Sequence, residues 1–197
     1  MRTRILAGTT GAILLLSLMA TPAFARDRHR DRGGKESTST STLSHQDISF
    51  LKSASQGNIF EITGGTMAAI QSVTPEGKAL GMKLASDHTA AQVSLAALAE
   101  KYGVTLPTTM SDEQSSELAD VGANTGLHFD DEYSEVEMQD HTQDIKAFKT
   151  EVKKGRNADV RTFAAASLPL LETHLALSTA VNDVVEALPG HEGDTSD

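Results

Sequence analysis

Apolar side chains recur every three or four residues through most of residues 45–188, with polar side chains between them. This spacing places the apolar residues on one face of an α-helix. Alternation with a period of two, which indicates a half-buried β-strand, is scarce. The pattern therefore predicts an all-α domain over residues 45–188.

Capping and breaking residues divide this domain into four long helices and one short one. Thr74 and Pro75 separate the first two long helices, Gly155 separates the last two, and Ser111 with Gln114 forms a capping box for the short helix. The long helices are predicted at about residues 46–72, 75–102, 126–154 and 157–187, and the short helix at about 111–121. The short connections predict two antiparallel hairpins, which pack as a four-helix bundle with the short helix in the crossover.

The first long helix carries two candidate core strips and three glycines. Each glycine costs about 1 kcal/mol in a helix interior relative to alanine, so we expect Gly57, Gly64 and Gly65 to allow a close helix approach or to mark a kink. One strip contains Ile48, Leu51, Ile59 and Ile62, and the adjacent strip contains Phe50, Ala54, Glu61, Gly65 and Ala68.

Three histidines lie on the apolar stripes of the other three long helices. They are His88, His141 and His174, and two of them directly follow an aspartate, Asp87 and Asp140. A buried polar group without a partner is costly, so these imidazoles are expected to meet partners inside the bundle.

Distance from the hairpin turns predicts which polar residues lie level. Glu61 and His88 are 13 and 14 residues from the first turn, at Thr74, and His141 and His174 are 14 and 19 residues from the second. The first three match closely, whereas His174 is offset by about one turn at 1.5 Å per residue. We therefore expect all four side chains to converge in one layer.

Two interpretations of this layer remain open from the residues alone. One is a metal site in which Glu61, His88, His141 and His174 bind copper, zinc or iron, with Asp87 and Asp140 beside them to orient the rings. The other is a buried hydrogen-bond network that fixes helix register. No Glu-x-x-His motif occurs, which disfavours a di-iron carboxylate centre.

An acidic run at the start of the third long helix has the composition of a calcium site without its spacing. Asp130, Asp131, Glu132 and Glu135 lack the glycine and the ligand order of an EF-hand loop. We therefore interpret the run as a solvated helix face.

The N-terminus has the pattern of a secretory signal peptide. A basic start is followed by the apolar stretch 5–19 and by Ala23-Phe24-Ala25, an A-x-A cleavage pattern. Residues 1–25 are therefore predicted to direct export, to the periplasm or envelope of a bacterium. The apolar stretch is short for a membrane span, which needs about 20 residues.

The segments that flank the domain are polar. Residues 26–44, basic and then rich in serine and threonine, are predicted to be a disordered linker whose residues 26–36 make weak contact with an envelope surface. Residues 189–197 are predicted to be a disordered tail. The chain contains no cysteine, which excludes disulfides, and its net charge of −10 disfavours nucleic-acid binding.

Several stretches in this order resemble a bacterial family of secreted or envelope-associated domains of unknown function, often labelled "putative (outer) membrane protein". The resemblance implies a ferritin-like four-helix bundle outside the cytoplasm, with recurring polar residues at Glu61, Asp87, His88, His141 and His174, and no established activity or cofactor. It also implies Gly or Ala at the position of Asn58, a departure expected to affect helix packing more than the site. The stretches, which span about residues 45–182, are 47–51, 57–61, 84–89, 102–107, 140–141, 163–169 and 172–175.

These observations favour an exported helical-bundle protein, non-enzymatic, with a buried centre of histidines and acids. The alternative is a periplasmic metal-binding or redox protein that uses the three histidines and Glu61. No nucleophile motif such as Gly-x-Ser-x-Gly occurs, and the sequence identifies no protein partner.

Overall fold

The computed structural model describes residues 42–190, which form five α-helices and confirm the all-α prediction. The predicted signal peptide 1–25, nearly all of the predicted linker 26–44 and residues 191–197 of the predicted tail lie outside the described residues. None of the helices described is both long enough and apolar enough to cross a membrane. The helices are α1 (His45–Gln71), α2 (Pro75–Lys101), α3 (Asp112–Gly122), α4 (Leu127–Lys154) and α5 (Ala158–Glu186).

Side-chain caps fix where the helices begin. The Ser44 hydroxyl accepts from the Asp47 amide while the Asp47 carboxylate accepts from the Ser44 amide, a capping box at the start of α1. Thr74 caps α2, and Ser111 caps α3 with the predicted capping box. These caps satisfy amides that would otherwise lack partners in the first turn, and the observed bounds agree with the predicted ones to within one residue at each end of every helix.

The first hairpin, α1 with α2, is held at a contact between two glycines. A Cβ atom on Gly65 would lie 2.6 Å from the Gly81 carbonyl oxygen, and one on Gly81 would lie 2.6 Å from the Gly65 carbonyl oxygen. No larger residue fits at either position, so Gly65 allows the close approach of the two helices, which was one of the two expectations for the glycines of α1. The same register places Asn58, seven residues earlier in α1, opposite His88, seven residues later in α2.

The buried apolar residues form two clusters on either side of a polar layer. The cluster near the α1–α2 turn contains Phe60, Leu84, Tyr133 and Val181, and the opposite cluster contains Phe50, Leu51, Leu95, Ile145, Phe148 and Leu171. The strip of α1 that carries Glu61 is the one that faces the core. Of the other candidate strip only Leu51 is fully buried, and its isoleucines are half-buried.

Two aspartates tie the hairpins to each other at opposite ends. Asp47, in the first turn of α1, accepts from the amides of Arg156 and Asn157 in the α4–α5 connection, at 2.9 and 3.2 Å. Asp130, in the first turn of α4, accepts from the amides of Val73 and Thr74 in the α1–α2 connection, at 3.2 and 2.8 Å. We call these two contacts the aspartate clasps.

The clasp at Asp130 corrects one interpretation of the acidic run. Asp130 is fully buried, although the run was expected to be a solvated face. Its two side-chain oxygens accept hydrogen bonds from the amides of Val73 and Thr74, so this polar side chain is buried with partners.

Candidate metal centre

The three predicted histidines meet in the polar layer between the two apolar clusters. The ring centroids of His141 and His174 are 5.2 Å apart, those of His88 and His174 5.2 Å, and those of His88 and His141 5.8 Å. Each ring offers one nitrogen, and the three nitrogens lie within 4.8 Å of one another. His88 is 3% exposed and the other two are fully buried. We call these residues the histidine cluster.

A chain of hydrogen bonds that starts at the α2–α3 connection fixes the tautomer of His88. The Ser55 hydroxyl donates to the Pro107 carbonyl, which can only accept, so Ser55 Oγ accepts from Gln92 Nε2 at 2.9 Å. Gln92 Oε1 then accepts from Asn58 Nδ2 at 3.0 Å, which leaves Asn58 Oδ1 to accept from His88 Nδ1 at 2.9 Å. His88 therefore carries its proton on Nδ1, and its Nε2 presents a lone pair.

The other two histidines are fixed by shorter arrangements of the same kind. His141 Nδ1 donates to the Glu137 carbonyl oxygen at 2.9 Å, one turn earlier in α4. His174 Nε2 donates to Asp87 Oδ2 at 2.9 Å, across from α5 to α2. Lys83 holds the same Asp87 oxygen at 2.8 Å. Although burial raises the pKa of Asp87, the hydrogen bonds from Lys83 and His174 lower it overall, so this carboxylate is an ionised acceptor.

These bonds leave the same kind of atom free on each ring. His88 Nε2, His141 Nε2 and His174 Nδ1 are buried and have no hydrogen-bond partner. Since the opposite nitrogen of each ring carries the proton, each of the three free nitrogens carries a lone pair. All three can therefore only accept, and none can donate a hydrogen bond to another. A buried acceptor without a donor is costly, and a metal ion is the partner that three convergent imidazole lone pairs suit.

Burial keeps the rings neutral. It lowers the pKa of His88 to about 3, with a further contribution from the two neighbouring histidines. It lowers the pKa of His141 to about 4 against the opposing effect of the Glu137 carbonyl. Burial also lowers the pKa of His174, although Asp87 works against it. At neutral pH the rings are in the form that binds metals.

A group of acids lies on the other side of His141. Glu61 from α1 and Glu137 from α4 are fully buried, and one oxygen of each is 3.6 Å from His141 Nδ1. Asp140 belongs to the same group: Glu61, Asp140 and His141 each offer a ligand atom within 4.8 Å of the others. We call Glu61, Glu137 and Asp140 the carboxylate cluster.

Proximity and burial make these acids hard to ionise. Burial first, and then the charges of Glu137 and Asp140, hold the pKa of Glu61 well above its usual range. Burial raises the pKa of Glu137 to about 8 and also raises that of Asp140. Asp144, one turn beyond Asp140, is raised to about 8 by burial and by Asp140.

The structure distributes the predicted site residues over two adjoining groups. The three histidines converge although His174 was offset by about one turn. Glu61 lies beside His141 but in the carboxylate cluster, so whether the four predicted residues hold a single metal ion stays a prediction. Asp87 orients His174 from the neighbouring helix, whereas Asp140 joins the acids.

Two residues of the site were not predicted. Asn58 was expected to matter for packing, and the structure corrects this, because Asn58 orients His88 directly. The antiparallel register already described places Asn58, rather than Glu61, opposite His88. Glu137 lies four residues before His141, so both residues share one face of α4, a spacing that was readable in the sequence.

Comparison with known proteins places the chain in a family. The family model described as "Domain of unknown function (DUF4142)" matches residues 33–181. The chain belongs to this family. No curated protein matches the DUF4142 chain.

Two solved structures share the fold at low sequence identity. A crystal structure of a DUF305 fragment from Deinococcus radiodurans is 10% identical, with a TM-score of 0.64, and the match covers 75% of this chain and 99% of that one. A "putative spore coat protein" from Bacillus halodurans C-125 is 17% identical, with a TM-score of 0.61, and the match covers 75% of this chain and 92% of that one. At these identities the similarity concerns the fold alone.

Proposed function

We propose that this DUF4142 protein is an exported metal-binding protein that holds a transition metal ion in the histidine cluster. The observation that carries the proposal is that three buried imidazole rings meet, with one nitrogen of each within 4.8 Å of the others, and that each ring keeps a lone pair because a hydrogen bond engages its opposite nitrogen. Metal-binding histidines characteristically donate their second N–H to a carboxylate, a carbonyl or a similar acceptor. All three partners here, Asn58 Oδ1, the Glu137 carbonyl and Asp87 Oδ2, are of this kind.

The donor set indicates the class of metal. Three neutral imidazoles suit zinc and copper, and also iron. On an ion bound at about 2.0–2.1 Å the three nitrogens would lie about 3.4 Å apart. The nitrogens lie within 4.8 Å of one another, so binding requires their separations to shorten by at most about 1.4 Å.

A groove between α2 and α5 offers an approach to the site. It has a volume of about 310 Å³ and is lined by Asp87, Ala91, Phe163 and Ser167 among others. The Asp87 side chain is 26% exposed while His174, to which it is bonded, is buried. A metal ion can therefore meet a carboxylate at the surface before it reaches the imidazoles.

We further propose that the domain is a ferritin-like four-helix bundle and that the protein functions in the bacterial periplasm or envelope. Two hairpins that pack around a central polar layer support a ferritin-like four-helix bundle, with α3 in the crossover. The signal-peptide pattern of residues 1–25 supports export to the bacterial periplasm or envelope. In the periplasm or envelope, a protein would meet metal ions whose concentration the cytoplasm does not control.

Elemental analysis of the full chain, expressed with its own N-terminus, recovered from the periplasm and purified without a histidine tag, tests the proposal. We expect about one equivalent of zinc or copper per chain, lost in a His88→Ala/His174→Ala variant that retains its helical circular dichroism. The matched control is His45→Ala/His128→Ala, which removes two histidines outside the cluster and should keep the metal.

The competing interpretation is a purely structural hydrogen-bond network. It predicts a protein that is isolated without metal and that binds neither added Zn²⁺ nor added copper. That result would overturn the proposal and leave the histidines as part of the core. Recovery of the chain from the cytoplasm with an uncleaved N-terminus would overturn the proposed export separately.

A further inference from the structure

Small residues of α1 stand opposite the acids of α4 beside the carboxylate cluster. Gly57, Glu61 and Gly64 lie on one face of α1, at intervals of four and three residues. A Cβ atom on Gly64 would lie 3.6 Å from Glu137 Oε1, and one on Gly57 would lie 3.5 Å from Asp144 Oδ2. Glycine therefore stands on both sides of Glu61, and at each position the added Cβ atom would be in van der Waals contact with an acid of α4.

The acids of this cluster have no compensating cation among the described residues. Both carboxyl oxygens of Glu61, both of Glu137 and Oδ2 of Asp140 are buried without a hydrogen bond of good geometry, and the contacts of Glu61 with Glu137 and Asp140 require a proton shared between carboxyl groups. His141 is the only basic side chain within 4 Å of Glu61 or Glu137 in residues 42–190, and it is neutral. Buried carboxylates are normally paired or bound to a metal.

Two side chains that are not acids point to a ligand at the same place. Tyr133, fully buried on α4, has its hydroxyl within reach of Glu137 and beside Glu61, but no hydrogen bond of good geometry satisfies this hydroxyl. His141 turns its Nδ1 edge toward Glu61 and Glu137, while its free Nε2 belongs to the histidine cluster. The His141 ring thus separates a nitrogen-lined position from an oxygen-lined one.

We propose that Glu61, Glu137 and Asp140 bind a second divalent cation, next to the histidine cluster and separated from it by the His141 ring. The two positions differ in chemistry, since imidazole favours zinc or copper whereas carboxylates favour harder ions such as Mn²⁺. This inference extends the proposed function to a two-ion centre, but its ligands are distinct from the three imidazole nitrogens, so each proposal can fail without the other.

Binding of Mn²⁺ alone, followed by electron paramagnetic resonance of the free ion, tests the second position in the full, chelator-treated chain. We expect the wild-type protein to bind about one Mn²⁺, and the His88→Ala/His174→Ala variant to bind it with a dissociation constant within about threefold of wild type. The isosteric variant Glu61→Gln/Glu137→Gln should bind at least tenfold more weakly. The matched control Glu135→Gln/Glu172→Gln removes two exposed carboxylates and should bind as wild type does.

A zinc titration of the same proteins separates the two proposals. We expect two equivalents for wild type and one for each cluster variant. A Mn²⁺ affinity that the Glu61→Gln/Glu137→Gln change leaves unaltered, or a wild-type chain that binds no Mn²⁺ and one zinc ion only, would overturn the second site. If the His88→Ala/His174→Ala variant binds as many zinc ions as the wild-type chain, the histidine site would be overturned instead. Asp140→Asn, at a partly exposed position, provides a milder variant with the same expected direction.

Discussion

The histidine cluster and the carboxylate cluster lie in one polar layer and adjoin each other at His141, but their side chains are held in different ways. Each imidazole has one nitrogen engaged and one free, so the directions of the three lone pairs are set before any ligand arrives. The acids have no cation beside them among residues 42–190, and burial, followed by mutual repulsion, holds their pKa values high. The comparison shows that burial alone does not define a binding site. The histidine cluster is preorganised for a ligand. The carboxylate cluster instead consists of buried acids whose negative charge must be compensated by a proton or a cation.

The largest expected effect separates the clusters by metal preference. Carboxylates are poor ligands for the soft ion Cu⁺, so Cu⁺ affinity reports on the imidazoles. We expect His88→Ala/His174→Ala to weaken Cu⁺ binding by at least about 1,000-fold, or about 4 kcal/mol, in competition with a chromophoric chelator. Glu61→Gln/Glu137→Gln should change it by less than about tenfold. Equal losses in the two variants would mean that Glu61 completes a single four-ligand site.

The next effect concerns the stability of the metal-free protein. Replacing both buried acids by amides in Glu61→Gln/Glu137→Gln removes groups that must stay protonated in the folded chain but ionise on unfolding. At pH 8 we expect the free energy of unfolding to rise by roughly 2–4 kcal/mol, measured by urea denaturation in the presence of a chelator. Glu135→Gln/Glu172→Gln is the control and should be neutral. A loss of stability would show that the acids have partners that compensate their charge.

The two clusters make the free energy of unfolding depend on pH in opposite directions. The folded pKa of Glu137, about 8, is above its ordinary value of 4.5, so the unfolded chain binds fewer protons and stability falls as the pH rises above 4.5. The folded pKa values of His88 and His141, about 3 and 4, are below 6.5, so stability falls as the pH drops below 6.5. We expect chelator-treated protein to be most stable between about pH 4.5 and 6.5, with each limb changing by about 2 kcal/mol. Glu61→Gln/Glu137→Gln should flatten the alkaline limb only. An alkaline limb that persists unchanged in this variant would contradict the assignment.

A smaller effect is expected from the residues that orient the imidazoles. Removal of such partners typically weakens metal binding 10- to 100-fold, and we expect this for Cu⁺ binding by Asn58→Ala and by Asp87→Ala. Lys83→Ala is the matched control for Asp87, because it breaks the Lys83–Asp87 ion pair and leaves the bond to His174. It should change the affinity by less than threefold. If it matched Asp87→Ala, the effect would come from surface charge rather than ring orientation.

The smallest effect should come from Glu117, a residue at the edge of the carboxylate cluster. Burial and the charges of Asp140 and Glu113 raise its pKa, but this side chain is only partly buried and water screens it. We expect Glu117→Gln to change the free energy of unfolding by less than about 0.5 kcal/mol. A change as large as that of Glu61→Gln/Glu137→Gln in the same urea titration would extend the buried cluster to α3.

The fold was largely predictable because helix ends are marked by local chemistry. Ser44, Thr74, Ser111 and Asn157 act within one turn of their own positions, so no knowledge of tertiary structure was needed to place them. The histidines were also predictable, since an ionisable residue on an apolar stripe is an exception that the spacing reveals.

What the sequence did not predict depends on register between helices. Counting from the turn at Thr74 placed Glu61 level with His88. The contact between Gly65 and Gly81 shifts the register of α1 against α2 by three residues from that count, so Asn58 lies opposite His88. Likewise, Asp130 lies in an acidic run, and only the position of the α1–α2 turn shows why it is buried. Such pairings depend on where two backbones approach most closely, which a periodic pattern does not specify.

The aspartate clasps bear on how the chain unfolds. Each clasp joins the first turn of one hairpin to the connection of the other, at opposite ends of the helices. Opening either hairpin therefore requires the release of the other, which favours a single cooperative unfolding unit over two independent ones. His88 belongs to one hairpin, and His141 and His174 belong to the other. A ligand that bridges them at mid-height and a clasp at each end oppose the same motion, the sliding of one hairpin along the other.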